Sequence, residues 1–376
     1  MIRKCFLAVS AAIVLVVPLH AEQADDPNTW LEEIEGAKAL DWARAENAKS
    51  LPVLERDPRF AAMRAEARAI LTSPARIPLG SIHAGHVYNF WQDDVHVRGL
   101  WRRADVETYR SGAPRWQTLI DFDRLARDER ENWVAGQIVC LSPEYRRCMV
   151  ELSRGGGDTS TWREFDTQAA AFVRGGFALP EAKSDVAWVD TDTLLVGTDW
   201  GEGSLTTSGY PRIVKAWRRG TALADARVLF EGGRDDVAVR SLVEQDGAAR
   251  PFIVRAVSFF EAEYHYAPGL GTPTKLPLPP NADLQGVLDG RAIVSLREPW
   301  SYRGQSFATG AVVAYDLRGG AAELVFAPSE VQSVEAVGLG ESGLVIQYLE
   351  NVSGRAARLT RTTGGSWRAS EIPLPA

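Results

Sequence analysis

Residues 186–230 read VAWVDTDTLLVGTDWGEGSLTTSGYPRIVKAWRRGTALADARVLF, a stretch holding four short runs rich in β-branched and aromatic residues, at 186–189, 194–198, 213–217 and 228–230. Runs of that composition parted by Gly, Pro and Asp turns read as strands. A similar group precedes it at 137–141, 148–153, 161–165 and 171–174, and others follow around 252–257 with 264–267, 292–296 with 312–315, and 344–349 with 358–361. Residues 87–120 form a first, less regular group. A four-strand unit of about 50 residues repeated six times predicts an all-β chain, a β-propeller of about six blades. A β-sandwich would finish within about 100 residues and would not repeat. A parallel β-helix would repeat at a shorter, more regular interval.

Upstream of the strands the period changes. Residues 25–75 read as a short N-terminal helical arm, with 76–376 as the propeller. One helix is expected over about 37–51, with Leu40, Ala43 and Leu51 on one stripe. A second is expected after the Asp57-Pro58 start signal, with Phe60, Met63, Ala67, Ile70 and Leu71 recurring at helical spacing until Pro74. Two short helices cannot bury such stripes by themselves, so the arm needs a surface to pack on.

Residues 1–21 carry Arg3 and Lys4, an apolar run from Cys5 to Val17, then Pro18 and Ala21, the pattern of a secretory signal peptide cleaved after Ala21. The competing reading is a membrane anchor, yet about 13 apolar residues span only roughly 20 Å as a helix against a hydrocarbon core of about 30 Å. The expectation is export to the bacterial periplasm, with no membrane association after cleavage. Loss of the signal leaves 40 basic against 49 acidic residues, a net charge of −9. Scattered Arg on a net-acidic chain argues against nucleic acid as a partner. Cys140 and Cys148 are the thiols left, flanking a turn at 142–146. They read either as a disulfide across a hairpin or as two buried thiols.

Hydrolytic motifs are missing. Serine catalysis on an α/β-hydrolase scaffold needs G-x-S-x-G at a strand-to-helix turn. The nearest approach, Gly340-Glu341-Ser342-Gly343-Leu344, lacks the last Gly and lies between two strand runs, which makes Ser342 a turn residue. His83, His86 and His96, with Asp93 or Asp94, lack the ligand set of a structural zinc site, so no metal is expected. Gly155-Gly156-Gly157-Asp158 precedes a strand and is read as a hairpin turn rather than a phosphate loop. The connection 199–211, bearing Trp200 and Tyr210, is long enough to carry recognition or to be a plain surface excursion.

Several stretches resemble the prolyl oligopeptidase family. Asp26-Pro27, Trp30-Leu31-Glu32-Glu33, Trp42 and Glu46-Asn47 look like the signature that opens its enzymes. Tyr88-Asn89-Phe90-Trp91-Gln92-Asp93, Arg98-Gly99-Leu100-Trp101-Arg102, Arg163-Glu164-Phe165-Asp166, Pro180-Glu181-Ala182-Lys183 and Ser208-Gly209-Tyr210-Pro211-Arg212 look like a bacterial branch of it. The resemblance implies a seven-bladed propeller capping an α/β-hydrolase domain to which the arm belongs. It implies short peptide substrates, often cut after proline, no metal or organic cofactor, and a Ser-Asp-His triad in the hydrolase domain. No catalytic residue can be carried over to this chain, which is expected to be the non-catalytic, substrate-gating portion of an exported serine peptidase. Its partners would then be short peptides and an α/β-hydrolase domain encoded downstream or on a separate chain. The alternative is a stand-alone propeller binding module. Candidate substrate-facing residues are Glu181, Lys183 and Ser184 at a blade entrance and Trp200 and Tyr210 in the long connection.

Overall fold

A computed structural model describes residues 26–33, 36–73, 75–340 and 343–374, so the signal segment and Ser342 lie outside the described residues. The chain divides into two units, residues 1–73 and 74–376.

The first unit is helical. A 3-10 turn at Thr29–Glu32 leads to α1, Ala37–Glu55, and α2, Phe60–Leu71. Trp30 meets Trp42 edge-on at 6.3 Å, and the Lys38 ammonium lies 4.1 Å from the Trp30 ring centre. α1 runs past the expected end near Leu51 and passes through Pro52, which forgoes one backbone bond without ending the helix. α2 starts at Phe60, later than its start signal suggests: the Asp57 carboxylate accepts the Arg59 N–H at 2.9 Å, so Asp57 and Pro58 form a turn ahead of the helix. Leu40, Leu51, Met63, Ile70 and Leu71 are exposed.

The second unit is a six-bladed β-propeller. Its four-stranded antiparallel blades run Ser81–His83, His86–Trp91, Leu100–Asp105 and Gln117–Asp121 (blade one); Trp133–Cys140, Arg147–Arg154, Ser160–Asp166 and Ala171–Phe172 (two); and Asp185–Asp190, Thr193–Gly197, Ile213–Arg218 and Arg227–Glu231 (three). Next come Ala238–Gln245, Ala249–Ala256, Ala262–Tyr266 and Thr274–Lys275 (four); Asp283–Leu288, Arg291–Ser295, Val312–Asp316 and Ala322–Phe326 (five); and Gln332–Gly340, Gly343–Glu350, Ser353–Arg361 and Trp367–Ile372 (six). A fifth strand, Ala178–Ala182, pairs with the third strand of blade two, and a small hairpin, Trp300–Tyr302 with Gln305–Phe307, is inserted in blade five. Two short helices interrupt the all-β run: α3, Val106–Arg110, and α4, Phe122–Glu129, the latter capped by the Asp121 side chain accepting the Arg124 N–H.

The core is divided between blades. One buried cluster joins blade one to two through Trp101, Phe122 and Phe165, and another joins two to three through Trp162, Trp188 and Trp217. Further clusters seal three to four, four to five, and five to six. Among the described residues no such cluster joins blade six back to blade one.

Antiparallel order puts two kinds of connection on opposite faces. Links from a blade's second strand to its third, and from its last strand to the next blade, emerge on one face, and they range from the two-residue turn at 351–352 to the long connections at 198–212 and 296–311. Links between first and second strands are tight turns on the other face, such as 84–85, 191–192 and 289–290. One of these, at 141–146, is braced by a disulfide between Cys140 and Cys148, which are directly paired across the hairpin.

Candidate functional site

A cleft of about 820 Å³ lies between blades four and five, on the face of the 198–212 connection. Strand register explains it. Across the first three strands of blade four the side chains facing blade five form rows: Leu242, Phe252 and Tyr266; then Arg240, Val254 and Tyr264; then Ala238, Ala256 and Ala262. The lowest row fills the space between blades, with Phe252 fully buried in the shared core. Three methyl groups in the top row cannot fill the same gap, and the blades stand apart there. Ala282, Asp283 and Arg297 of blade five form the opposite wall. Phe259 and Phe260, 89% and 88% exposed, project at the rim from the 257–261 turn.

Hydrogen bonds fix the walls. The Tyr264 hydroxyl accepts the Leu284 N–H at 3.2 Å and ties the two blades together below the opening, while burial holds the phenol above its ordinary pKa. Asp283 takes the Arg297 guanidinium at 2.6 Å. Arg255, on the opposite side of its strand, is held by Asp236 at 2.8 and 2.9 Å, and that pairing lowers the Asp236 carboxyl below the usual carboxylate range.

A smaller pocket of about 290 Å³ adjoins the cleft on the inner strands of blades two to four. Tyr210, Ala238 and Arg240 line both. Within it the Lys183 ammonium sits 4.5 Å from the Tyr210 ring centre and 3.4 Å from Asp158. Burial pushes the Asp185 carboxyl upward, against two hydrogen bonds donated by the Ser241 N–H and hydroxyl at 2.7 and 2.6 Å.

The structure brings some of the candidate residues together and not others. Lys183, Ser184 and Tyr210 line the smaller pocket, with the Ser184 hydroxyl 2.7 Å from that of Thr198. Glu181 lies on the extra edge strand of blade two, ion-paired to Arg154, and lines neither opening. Trp200 lines neither opening: its indole N–H donates to the Ile213 carbonyl at 3.0 Å, and the Lys215 ammonium covers its ring at 4.1 Å. The histidines are engaged locally. His83 stacks on Tyr145 at 3.9 Å, and His96 meets Asp93 at 3.0 Å. Sequence reasoning missed Arg240, Phe259, Phe260 and Glu261. The available signal was a pair of phenylalanines inside a hairpin turn, where polar residues are the rule.

The cleft between blades four and five opens on the face that carries the 198–212 connection, and surface connections on a rigid scaffold are where recognition tends to sit. The chain matches the family model described as prolyl oligopeptidase, N-terminal beta-propeller domain, over residues 14–376. It is 37% identical over 370 residues to an uncharacterized peptidase of Sinorhizobium fredii, covering 94% of this chain and 51% of that protein. An uncharacterized peptidase of Rickettsia prowazekii is 28% identical over 353 residues, with 88% and 49% covered. Among solved structures, a post-proline cleaving enzyme from Rickettsia typhi superposes with a TM-score of 0.84 at 25% identity, over 93% of this chain and 54% of that one. The chain therefore belongs to the prolyl oligopeptidase family, as its N-terminal propeller region, and spans about half the length of the curated relatives it matches.

Proposed function

We propose that this chain is the substrate-gating, non-catalytic portion of an exported prolyl-oligopeptidase-type serine peptidase, and that its long-loop face looks onto an α/β-hydrolase domain that cuts short peptides. The observation that carries the reading is one-sidedness. Val95, Val97, Phe259, Phe260, Val331 and Val352 are exposed in connections of that face, which also bears the cleft and the smaller pocket. The tight turns opposite at 191–192, 246–248 and 289–290 are built from Thr, Asp, Gly and Ala. Exposed apolar tips around a cleft with charged ends and apolar walls suit a surface that another domain covers while peptide passes beneath it.

Two further features support the same reading. Leu40, Leu51, Met63 and Ile70 of the arm offer apolar surface of the kind a hydrolase domain would bury. Blades one and six present sheet faces that no core cluster joins among the described residues, which weighs against a self-sufficient binding ring. Export rests on the signal pattern at 1–21, and periplasmic product starting at Glu22 would test it.

Co-expression with the part of the Sinorhizobium relative that this chain does not span tests the docking face. The two should co-purify and together hydrolyse a proline-containing octapeptide but not folded protein. Phe259→Ser with Phe260→Ser should weaken the association, whereas Arg318→Ser on the opposite face should not. Equal weakening by both, or no association, would overturn the assignment.

A further inference from the structure

Among the described residues four ionic side chains line the inter-blade cleft: Arg240, Glu261, Asp283 and Arg297. Asp283 and Arg297 neutralise each other at 2.6 Å. The other two are far apart and of opposite sign. Arg240 sits on the inner strand of blade four, near enough to Asp185 to pull that carboxyl's pKa down, yet it makes no side-chain hydrogen bond or ion pair among the described residues. Glu261 sits at the outer rim beside Phe259 and Phe260; its backbone carbonyl accepts from Val257 and Ser258, while its carboxylate has no such partner among the described residues. Between them lie the apolar walls: the alanine row, Val254 and Tyr264.

The cleft is thus a dipole with an apolar middle. Register gives its length. Arg240 is two strands and about three residues away from Glu261, which at strand spacings of ~4.8 Å and rises of ~3.3 Å puts their Cα atoms ~14 Å apart. An extended chain covers roughly 3.3–3.6 Å per residue, so this span is that of about four residues. A ligand of that length with opposite charges at its two ends is an unblocked tetrapeptide.

We propose that the cleft binds short peptides by both free termini, the α-carboxylate on Arg240 at the inner end and the α-ammonium on Glu261 at the rim, with the central side chains between Phe259, Phe260 and the alanine floor. This rests on the reading of the cleft as peptide-facing and adds terminus recognition, direction and length to it. Longer peptides lose one of the two contacts, so the cleft ranks peptides by length as well as by end group.

Titration calorimetry of the 376-residue chain with Ala-Phe-Pro-Ala as the free peptide, the N-acetyl form, the C-terminal amide and the doubly blocked form tests this. Each single block should weaken binding about three- to tenfold, the scale of one partly solvated charge-assisted hydrogen bond. Arg240→Gln should abolish discrimination against the amide alone, and Glu261→Gln discrimination against the acetylated peptide alone. Doubly blocked peptide binding as tightly as the free one would overturn terminus recognition while leaving the cleft peptide-facing. The crossed pattern of variant effects would overturn the direction. Failure of every peptide to bind would overturn the peptide-facing reading itself.

Discussion

Replacing Glu164 by Gln should lower the stability of the propeller by about 3 kcal/mol. Glu164 is 1% exposed at the seam of blades two and three. Its carboxylate accepts the Phe177 N–H at 2.8 Å and both Nη groups of Arg219 at 2.8 and 3.0 Å, with Arg147 3.6 Å away. Removing one charge of a buried pair costs about 3–5 kcal/mol, because the other is left uncompensated. The Arg219 side chain is 31% exposed and also meets Asp192, so it recovers some hydration and the lower end applies. Unfolding entropy of about 2.1 cal/mol/K per residue over roughly 300 residues converts 3 kcal/mol into a fall in Tm of about 5 °C. Differential scanning calorimetry and urea titration at pH 7 would measure it. Arg219→Met should cost a similar amount, and the double variant less than the sum. A Tm shift under about 1 °C, or full additivity, would refute the account of this seam.

Reducing the Cys140–Cys148 bridge should lower stability by about 2–3 kcal/mol from loop entropy alone, read as a shift in urea midpoint with and without reductant; identical midpoints would contradict it. Val352 is 88% exposed with φ 65°, a left-handed conformation that β-branched residues resist, so Val352→Gly should stabilise by about 1 kcal/mol, and a loss of stability would show that the turn is not strained. Burial raises the Glu244 carboxyl pKa, so the folded state loses stability as pH rises from the unfolded value near 4.5 through the higher folded value. Glu244→Gln should therefore raise Tm at pH 7 and leave it nearly unchanged at pH 4, whereas an equal gain at both would rule out ionisation as the cause.

How much of this was legible depended on whether a feature is local. Strands such as Thr193–Gly197 and Ile213–Arg218 announce themselves because β-branched and aromatic residues are dense in them. The inner strand of blade four, Ala238–Gln245, escaped notice because AVRSLVEQ has too few such residues to stand out from its turns. α4 was missed for a similar reason: FDRLARDE is charged and only eight residues long, and Asp121 alone marks its start. The cleft depends on Ala238, Ala256 and Ala262 standing level on three strands, and that alignment is a matter of register. Glu181 is exposed, but its place on an extra strand paired to the third strand of blade two, beside Arg154, depends on long-range pairing that local sequence does not carry. Trp200 shows the same limit, since its contacts with Ile213 and Lys215 come from strands that follow the connection and are invisible in the local sequence.

Hydrogen–deuterium exchange of the chain with and without saturating Ala-Phe-Pro-Ala tests most directly whether the long-loop face receives peptide. Slower exchange is expected in 237–242, 254–264 and 280–285, which form the floor, rim and far wall of the cleft. Protection confined to the opposite face, at 141–147, 246–248 and 289–291, or none at all under saturation, would contradict the account.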